Sequence, residues 1–323
     1  MLSVYAARPQ GLVCVSKDPS SLPGDALWID LHDPAPAEEQ AVEAALRIEV
    51  PTREEMREIE ASNRFYEENG ALHMTATIVT KLDSDLPERT QVTFILTETR
   101  LVTNRYADPL PFRRFIAFAA SHPNAAASGA VVLAGLLEAI VNRIADVLEK
   151  VGADVDMVSS RIFAPRDDAR TGPMDYRDVL SQIGQSGDLV SKASESLVSL
   201  SRLLGFVQQS GNAQVTQESR ARYRTLARDV LAMTDHSNFL GNKVQFLLDA
   251  TLGMVSIDQN NIIKIFSVVT VFLLPSSVIT GFYGMNLEHI PWLHESWAPG
   301  AALAAMVISA LVPYLYFKRR GWL

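Results

Sequence analysis

This chain of 323 residues has one cysteine, Cys14. That excludes an intramolecular disulfide and any cysteine-based metal cluster. No Gly-x-x-x-x-Gly-Lys-Ser/Thr phosphate loop occurs, so nothing in the sequence couples it to nucleotide hydrolysis. No constellation of nucleophile, base and metal ligands stands out either, and the chain is not expected to be an enzyme or to carry an organic cofactor. The N-terminus, Met1-Leu2-Ser3-Val4-Tyr5-Ala6-Ala7-Arg8-Pro9, has no basic start followed by an apolar run. It is not a secretory signal, and the first 260 or so residues are expected in the cytosol. Two stretches lack Asp, Glu, Lys and Arg altogether: residues 265–287 and 296–317. Proline is absent between Pro173 and Pro275.

Each uncharged stretch is about 20 residues, the length a helix needs to cross a bilayer core. Together they predict a C-terminal membrane hairpin, with helices at about 262–284 and 298–318 and a short loop at 285–297. Lys264 precedes the first stretch, and Lys318, Arg319 and Arg320 follow the second, whereas the loop carries Glu288 and Glu295 and no basic residue. Positive charge favours the cytoplasmic side. Both termini are therefore expected in the cytoplasm of a bacterial-type inner membrane, with the loop outside and the three basic residues forming a cytoplasmic ring. The net charge is −8, yet Lys and Arg outnumber Glu from residue 262 onward, so the acidity lies in the first 261 residues. An acidic body disfavours nucleic acid and suits cations.

Residues 1–125 read as a mixed α/β domain. Short β-prone runs fall at 12–15, 27–31, 72–79, 92–96 and 101–103, between turn residues. Helices are expected at 36–48 and 52–60, the second with Thr52 as N-cap. Residues 126–261 form a helical domain: a helix over 130–163, a charged turn at 165–173, a second helix over 175–207, a turn at 209–212, and a third helix from about 213 into the membrane. Some 70 residues of unbroken helix cannot bury themselves in a monomer of this size. Partner helices from other copies supply the cover.

Read in heptads, the third helix shows one distinct line. Asn260, Ser267, Leu274 and Gly281 recur every seven residues, interleaved with Ile263, Thr270, Ser277 and Gly284, and the line continues back to Ser256, Gly253 and Asp249. Most of these residues are small or polar, while Ile265, Phe266, Val268, Val269, Val271, Phe272, Val278, Ile279 and Phe282 beside them are large and apolar. Polar groups facing lipid are costly, so the line faces inward, either to close helix packing or to a water-filled axis. Periodicity leaves both open.

The first span ends in Tyr283-Gly284-Met285-Asn286, preceded by Gln259-Asn260-Asn261-Ile262-Ile263-Lys264-Ile265-Phe266-Ser267-Val268-Val269. The chain closes on Pro313-Tyr314-Leu315-Tyr316-Phe317-Lys318-Arg319-Arg320-Gly321-Trp322-Leu323, and the N-terminal half carries Trp28-Ile29-Asp30-Leu31 and Ile59-Glu60-Ala61-Ser62-Asn63-Arg64-Phe65. With these motifs the sequence resembles, over nearly its whole length, the CorA family of magnesium transporters, and its magnesium/cobalt branch in particular. The resemblance implies a funnel-shaped homopentamer: an α+β cytoplasmic domain, long stalk helices around a pore, and the two-helix membrane hairpin. It implies a passive, gated channel for Mg²⁺ uptake, driven by membrane potential and closed by intracellular Mg²⁺, with Co²⁺ and Ni²⁺ as secondary substrates. Gly284, Met285 and Asn286 would form the selectivity filter. Asn260, Ile263, Leu274 and Ser277 fall on pore-lining positions, and Ser267, Thr270 and Gly281 share their face. Asp249 falls on an acidic position that binds regulatory Mg²⁺ between subunits, with Asp83 and Asp85 as candidate partners. One departure concerns the outer loop, where Ile290-Pro291-Trp292-Leu293 puts Trp292 in place of the family's acidic residue. Glu288 and Glu295 keep that loop attractive to cations, and His289 and His294 fall short of a closed zinc site. A proton-coupled zinc transporter of the ZntB kind and a non-conducting, membrane-anchored helical scaffold are the alternative readings.

Overall fold

The computed structural model describes residues 1–19, 22–81, 87–164, 174–211, 215–285 and 296–320. The chain divides into two compact units, Met1–Leu248 and Asp249–Leu323.

The first unit is built on a seven-stranded sheet. Its strands are β1 (Leu2–Arg8), β2 (Gly11–Ser16), β3 (Ala26–His32), β4 (Phe65–Glu68), β5 (Ala71–Thr80), β6 (Glu88–Leu96) and β7 (Leu101–Arg105), in spatial order β2-β1-β3-β7-β6-β5-β4. Neighbours pair antiparallel except β3 and β7, which run parallel from Trp28 opposite Leu101 to His32 opposite Arg105. Gly11 turns β1 into β2 at φ +137°, where a Cβ would collide with the carbonyls of Ala119 and Ala120. Every residue of β5 is buried, as a strand covered on both faces requires.

Alternating residues send the two faces to different cores. Trp28, Met74, Phe94 and Leu101 meet Phe112 and Phe115 of α3 (Leu110–Ala119), Leu136 and Leu137 of α4 (Gly129–Phe163) and Leu200 of α5 (Tyr176–Gln209). Ile29, Leu31, Ile95 and Val102 meet Val42, on the helix at Pro36–Leu46, together with Ile48 and Val50. A buried polar chain runs along the first of these faces. Arg105 donates through Nε and Nη2 to Asp30 at 2.8–3.2 Å, Thr103 donates to Asp30 at 2.7 Å, and Trp28 Nε1 donates to Thr103 at 3.0 Å. Burial works against the Arg105 charge, but the Asp30 and Asp108 carboxylates outweigh it and hold its pKa above the ordinary value.

The long helices start where local chemistry caps them. Ser128 Oγ accepts from the Val131 amide, and Asp175 Oδ1 accepts from the amides of Arg177 and Asp178. The third helix, α6 (Gln217–Tyr283), has 67 residues, and Thr216 Oγ1 accepts from the Ser219 amide at its start. In this unit Tyr223 donates to the Ala130 carbonyl at 2.6 Å, tying α6 to the first turn of α4.

The expectations at 36–48, 130–163, 175–207 and the third helix match observed helices, and all five β-prone runs are strands. Residues 52–60 are different. Thr52 does cap: its Oγ1 accepts from the Glu55 amide at 3.4 Å, and the Glu55 carboxylate accepts in return from the Thr52 amide at 2.8 Å. The helix nevertheless stops after one 3₁₀ turn, Glu55–Arg57, because Glu58 leaves at ψ 142°. A separate four-residue turn, Ala61–Arg64 (α2, with Pro36–Leu46 as α1), leads into β4. Strands β1 and β4 and helix α3 are additions to the sequence reading. The expected turn at 165–173 lies outside the described residues.

In the second unit α6 runs on to Tyr283, and α7 (Ala298–Arg319) follows. Both are long and apolar enough to cross a membrane.

Candidate functional site

Within the second unit α6 shows two faces of opposite kind. One packs on α7. Val268 is buried there, and Phe272, Pro275, Ser276, Ile279 and Tyr283 are half-buried. The contacts are specific: Ser276 Oγ meets Ser309 Oγ at 3.3 Å, the Phe272 and Tyr314 rings lie 6.4 Å apart, and Thr280 Oγ1 reaches Met306 Sδ at 3.9 Å. This seam was not anticipated. Its signal was the small residues Ser276 and Thr280 four apart on α6, against Ser309 and Ala310 on α7.

The other face carries the heptad line. Asn260, Ile263, Ser267, Thr270, Leu274, Ser277 and Gly281 are all exposed in the single chain. At about 100° per residue, the line centres roughly 180° from the α7 seam. So α7 is not its packing partner. The structure gathers all seven predicted residues onto one face, and Asp249, Ser256, Ile263, Thr270 and Ser277 repeat every seven residues along it. Its hydroxyls are already oriented: Thr270 donates to the Phe266 carbonyl at 2.8 Å and Ser277 to the Leu273 carbonyl at 2.9 Å. A hydroxyl whose proton is committed to its own helix turns its oxygen lone pairs outward as an acceptor. That suits water molecules donating from the hydration shell of a cation.

At the end of α6 the chain winds out of the helix. Gly284 donates to the Thr280 carbonyl at 2.9 Å and Met285 to the Phe282 carbonyl at 3.4 Å. A Cβ at Gly284 would lie 3.1 Å from the Thr280 oxygen, tight enough to favour glycine. Met285 is exposed. Asn286, Glu288 and Glu295 lie outside the described residues, as do Asp83 and Asp85. Asp249 is exposed at the start of this unit. Among the described residues, no group of three His, Cys, Asp or Glu side chains stands close enough to hold a metal ion. At the far end of α7, the Lys318 ammonium sits 5.7 Å over the Tyr314 ring and the Arg320 guanidinium 5.7 Å over Tyr316, with Arg319 between them. Cations in a last helical turn are favourable, and amphipathic rings belong at a membrane–water boundary.

An α+β unit followed by two helices long and apolar enough to cross a bilayer, the first of them the 67-residue α6, defines a membrane protein with two C-terminal spans. The family described as CorA-like Mg²⁺ transporter protein matches residues 23–319, and this chain belongs to it. Magnesium transport protein CorA of Haemophilus influenzae is 30% identical over 323 residues, covering 100% of each chain. Its counterpart in Haemophilus ducreyi is 32% identical over the same span and coverage. Among solved structures, the complete CorA magnesium transporter from Methanocaldococcus jannaschii has the same fold, with a TM-score of 0.77 at 19% identity, covering 100% of this chain and 99% of that one.

Proposed function

We propose that this chain is the subunit of a homopentameric channel for Mg²⁺ uptake across a bacterial inner membrane, with Co²⁺ and Ni²⁺ as secondary substrates. One observation carries the reading: the line from Asn260 to Gly281, with its hydroxyl and amide groups, is exposed on the face of α6 opposite α7, beside the large apolar Ile265, Phe266, Leu273 and Val278. Hydroxyl and amide groups facing lipid are costly. Copies of α6 around a common axis would face them to water instead.

In this reading Asn286 forms the outer ring after Gly284 and Met285. Mg²⁺ dehydrates reluctantly, and neutral amide oxygens hydrogen-bond its water shell without holding it. Glu288 and Glu295 raise the local cation concentration at the mouth. Asp249, with Asp83 and Asp85 of a neighbouring copy, binds the regulatory Mg²⁺ that closes the pore. Lys318, Arg319 and Arg320 mark the cytoplasmic end, and both termini lie on that side. Residues 1–125 and 126–261 serve as the sensing domains, and 262–323 as the conducting one. A membrane potential supplies roughly 2.3 kcal/mol per charge per 100 mV, twice that for a divalent ion, so entry needs no further energy source.

Flux into proteoliposomes tests the proposal. Mg²⁺ should enter with an inside-negative potential and independently of a pH gradient. Zn²⁺ entry that depends on the pH gradient would replace this reading with a ZntB-like one, and no flux of either ion would leave an oligomeric scaffold. Asn286→Ala should lose most Mg²⁺ flux, roughly tenfold or more, while keeping the oligomer on size exclusion. An assembled variant with wild-type flux would remove Asn286 from the filter.

A further inference from the structure

Three arginines from two separate elements converge on one cleft of the first unit, on a chain whose net charge is −8. Arg53 and Arg57 come from the segment around the 3₁₀ turn Glu55–Arg57, and Arg89, Thr90 and Gln91 from the start of β6. Tyr106, just past β7, forms another wall of the space of about 130 Å³. The sheet itself makes the opening. The ladder between β6 and β7 ends at Val92 opposite Arg105, whereas the ladder between β5 and β6 continues to Glu88 opposite Thr80. Residues 88–91 therefore present an edge that β7 leaves uncovered, and the 3₁₀ turn packs alongside β6.

Two of the three arginines in this cleft, Arg53 and Arg57, are uncommitted. The Arg53 guanidinium lies 5.2 Å over the Tyr106 ring, a stacking contact that orients the group while leaving its N–H fork free. Among the described residues, neither Arg53 nor Arg57 has a hydrogen-bond or ion-pair partner. Arg89 pairs with Glu195, and Glu88, the carboxylate in the lining, is held by Lys81 at 2.8 Å. That leaves Arg53 and Arg57 as two like charges with no ion pair of their own among the described residues, and such charges repel. A bound oxyanion removes that repulsion, and planar N–H forks arriving from two elements match a tetrahedral oxyanion better than a flat carboxylate.

We propose that this cleft binds a phosphate group, of inorganic phosphate or of a nucleotide. The proposal is independent of the transport reading. The test is isothermal titration of the full-length protein in detergent, with EDTA present to remove Mg²⁺. Sodium phosphate, sodium ADP and sodium chloride are compared at matched ionic strength. Phosphate or ADP should bind saturably and chloride should not. ADP binding more tightly than phosphate identifies a nucleotide as the source, and equal binding identifies free phosphate. Arg53→Gln and Arg57→Gln should each weaken binding on the order of tenfold, and Arg57→Lys, which keeps the charge but loses the fork, should fall between. Both side chains are exposed, so these variants should melt like wild type without ligand. The proposal is overturned if neither anion binds beyond the chloride control. It is equally overturned if the Arg53→Gln/Arg57→Gln double variant, melting normally, binds as wild type does.

Discussion

One helix serves two solvents. In its first half α6 turns Tyr223, Leu226, Val230, Leu240 and Leu247 into the core of the first unit and shows Arg224, Arg228, Asp229 and Asp235 outside, together with the apolar Leu231, Phe239 and Phe246. In its second half Ile265, Phe266, Leu273 and Val278 are exposed, and Ser267, Thr270 and Ser277 share one face with Asn260. The helical geometry is the same, and only the meaning of an outward face has changed. The first half follows the rule for a helix in water, the second that for a helix in lipid, where polar groups are what must be sheltered.

Breaking a polar contact should have very different costs in the buried core of the first unit and on the exposed line of α6. Asp30→Ala removes the buried partner of Arg105 and leaves it only Asp108, and should destabilise the first unit by about 3 kcal/mol, measured by chemical denaturation of the full chain. Ser277→Ala removes a hydroxyl bonded to its own helix and should cost less than about 1 kcal/mol. Equal costs would mean that the two units do not differ in the way argued.

Acid sharpens the contrast further. His73 is buried at 1% exposure, is stacked on Tyr66, and has Nδ1 without a hydrogen-bond partner among the described residues. Burial pushes its pKa down to about 4. The unfolded chain therefore takes up a proton first as pH falls below the ordinary histidine value near 6.5. Stability is fully present above that pH and is lost progressively down to about 4, by about 3 kcal/mol. His73→Phe, which keeps a ring against Tyr66, should flatten that part of the pH–stability curve. An unchanged slope would assign the acid sensitivity to other groups.

A smaller effect distinguishes the two faces of α6 in the membrane. In a Cys14-free background, cysteine at Thr270 or Ser277 should react with a hydrophilic thiol reagent several times faster than cysteine at Val269 or Ile279. Equal rates would make the small and polar line a packing surface. The smallest expected effect is regulatory. Asp249→Lys should leave Mg²⁺ flux intact but weaken its inhibition by internal Mg²⁺, because an ion that binds the closed state shifts the population toward it. An inhibition curve identical to wild type would place the sensor elsewhere.

Much of this organisation was legible from periodicity. The heptad line and the two uncharged stretches reflect regular geometry and bilayer thickness, which leave strong marks on a sequence. What was missed depends on tertiary context. Strand β1 reads Leu-Ser-Val-Tyr-Ala-Ala-Arg, whose alanines favour no strand until β2 and β3 flank it. Strand β4 is four residues long with two glutamates, and holds its conformation by pairing with β5. Helix α3 begins with Pro109 and Pro111, which punctuate a chain but also fit a first helical turn. The arginine cleft was invisible because it joins residues about 30–50 positions apart through the unequal lengths of two strands.

The parallel pairing of β3 with β7 bears on how the protein is made. The strands on either side of that seam join near neighbours in sequence, but closing it brings Trp28 to Leu101. Bridging such a loop costs entropy before contacts repay it, and long-range pairing is slow. The apolar helices that must enter a bilayer come last in the chain, after about 150 further residues have been made. At 5–20 residues per second, that is roughly 10–30 s of ribosome time. The order of the elements thus gives the slowest joint in the sheet time to close before the membrane segments leave the ribosome.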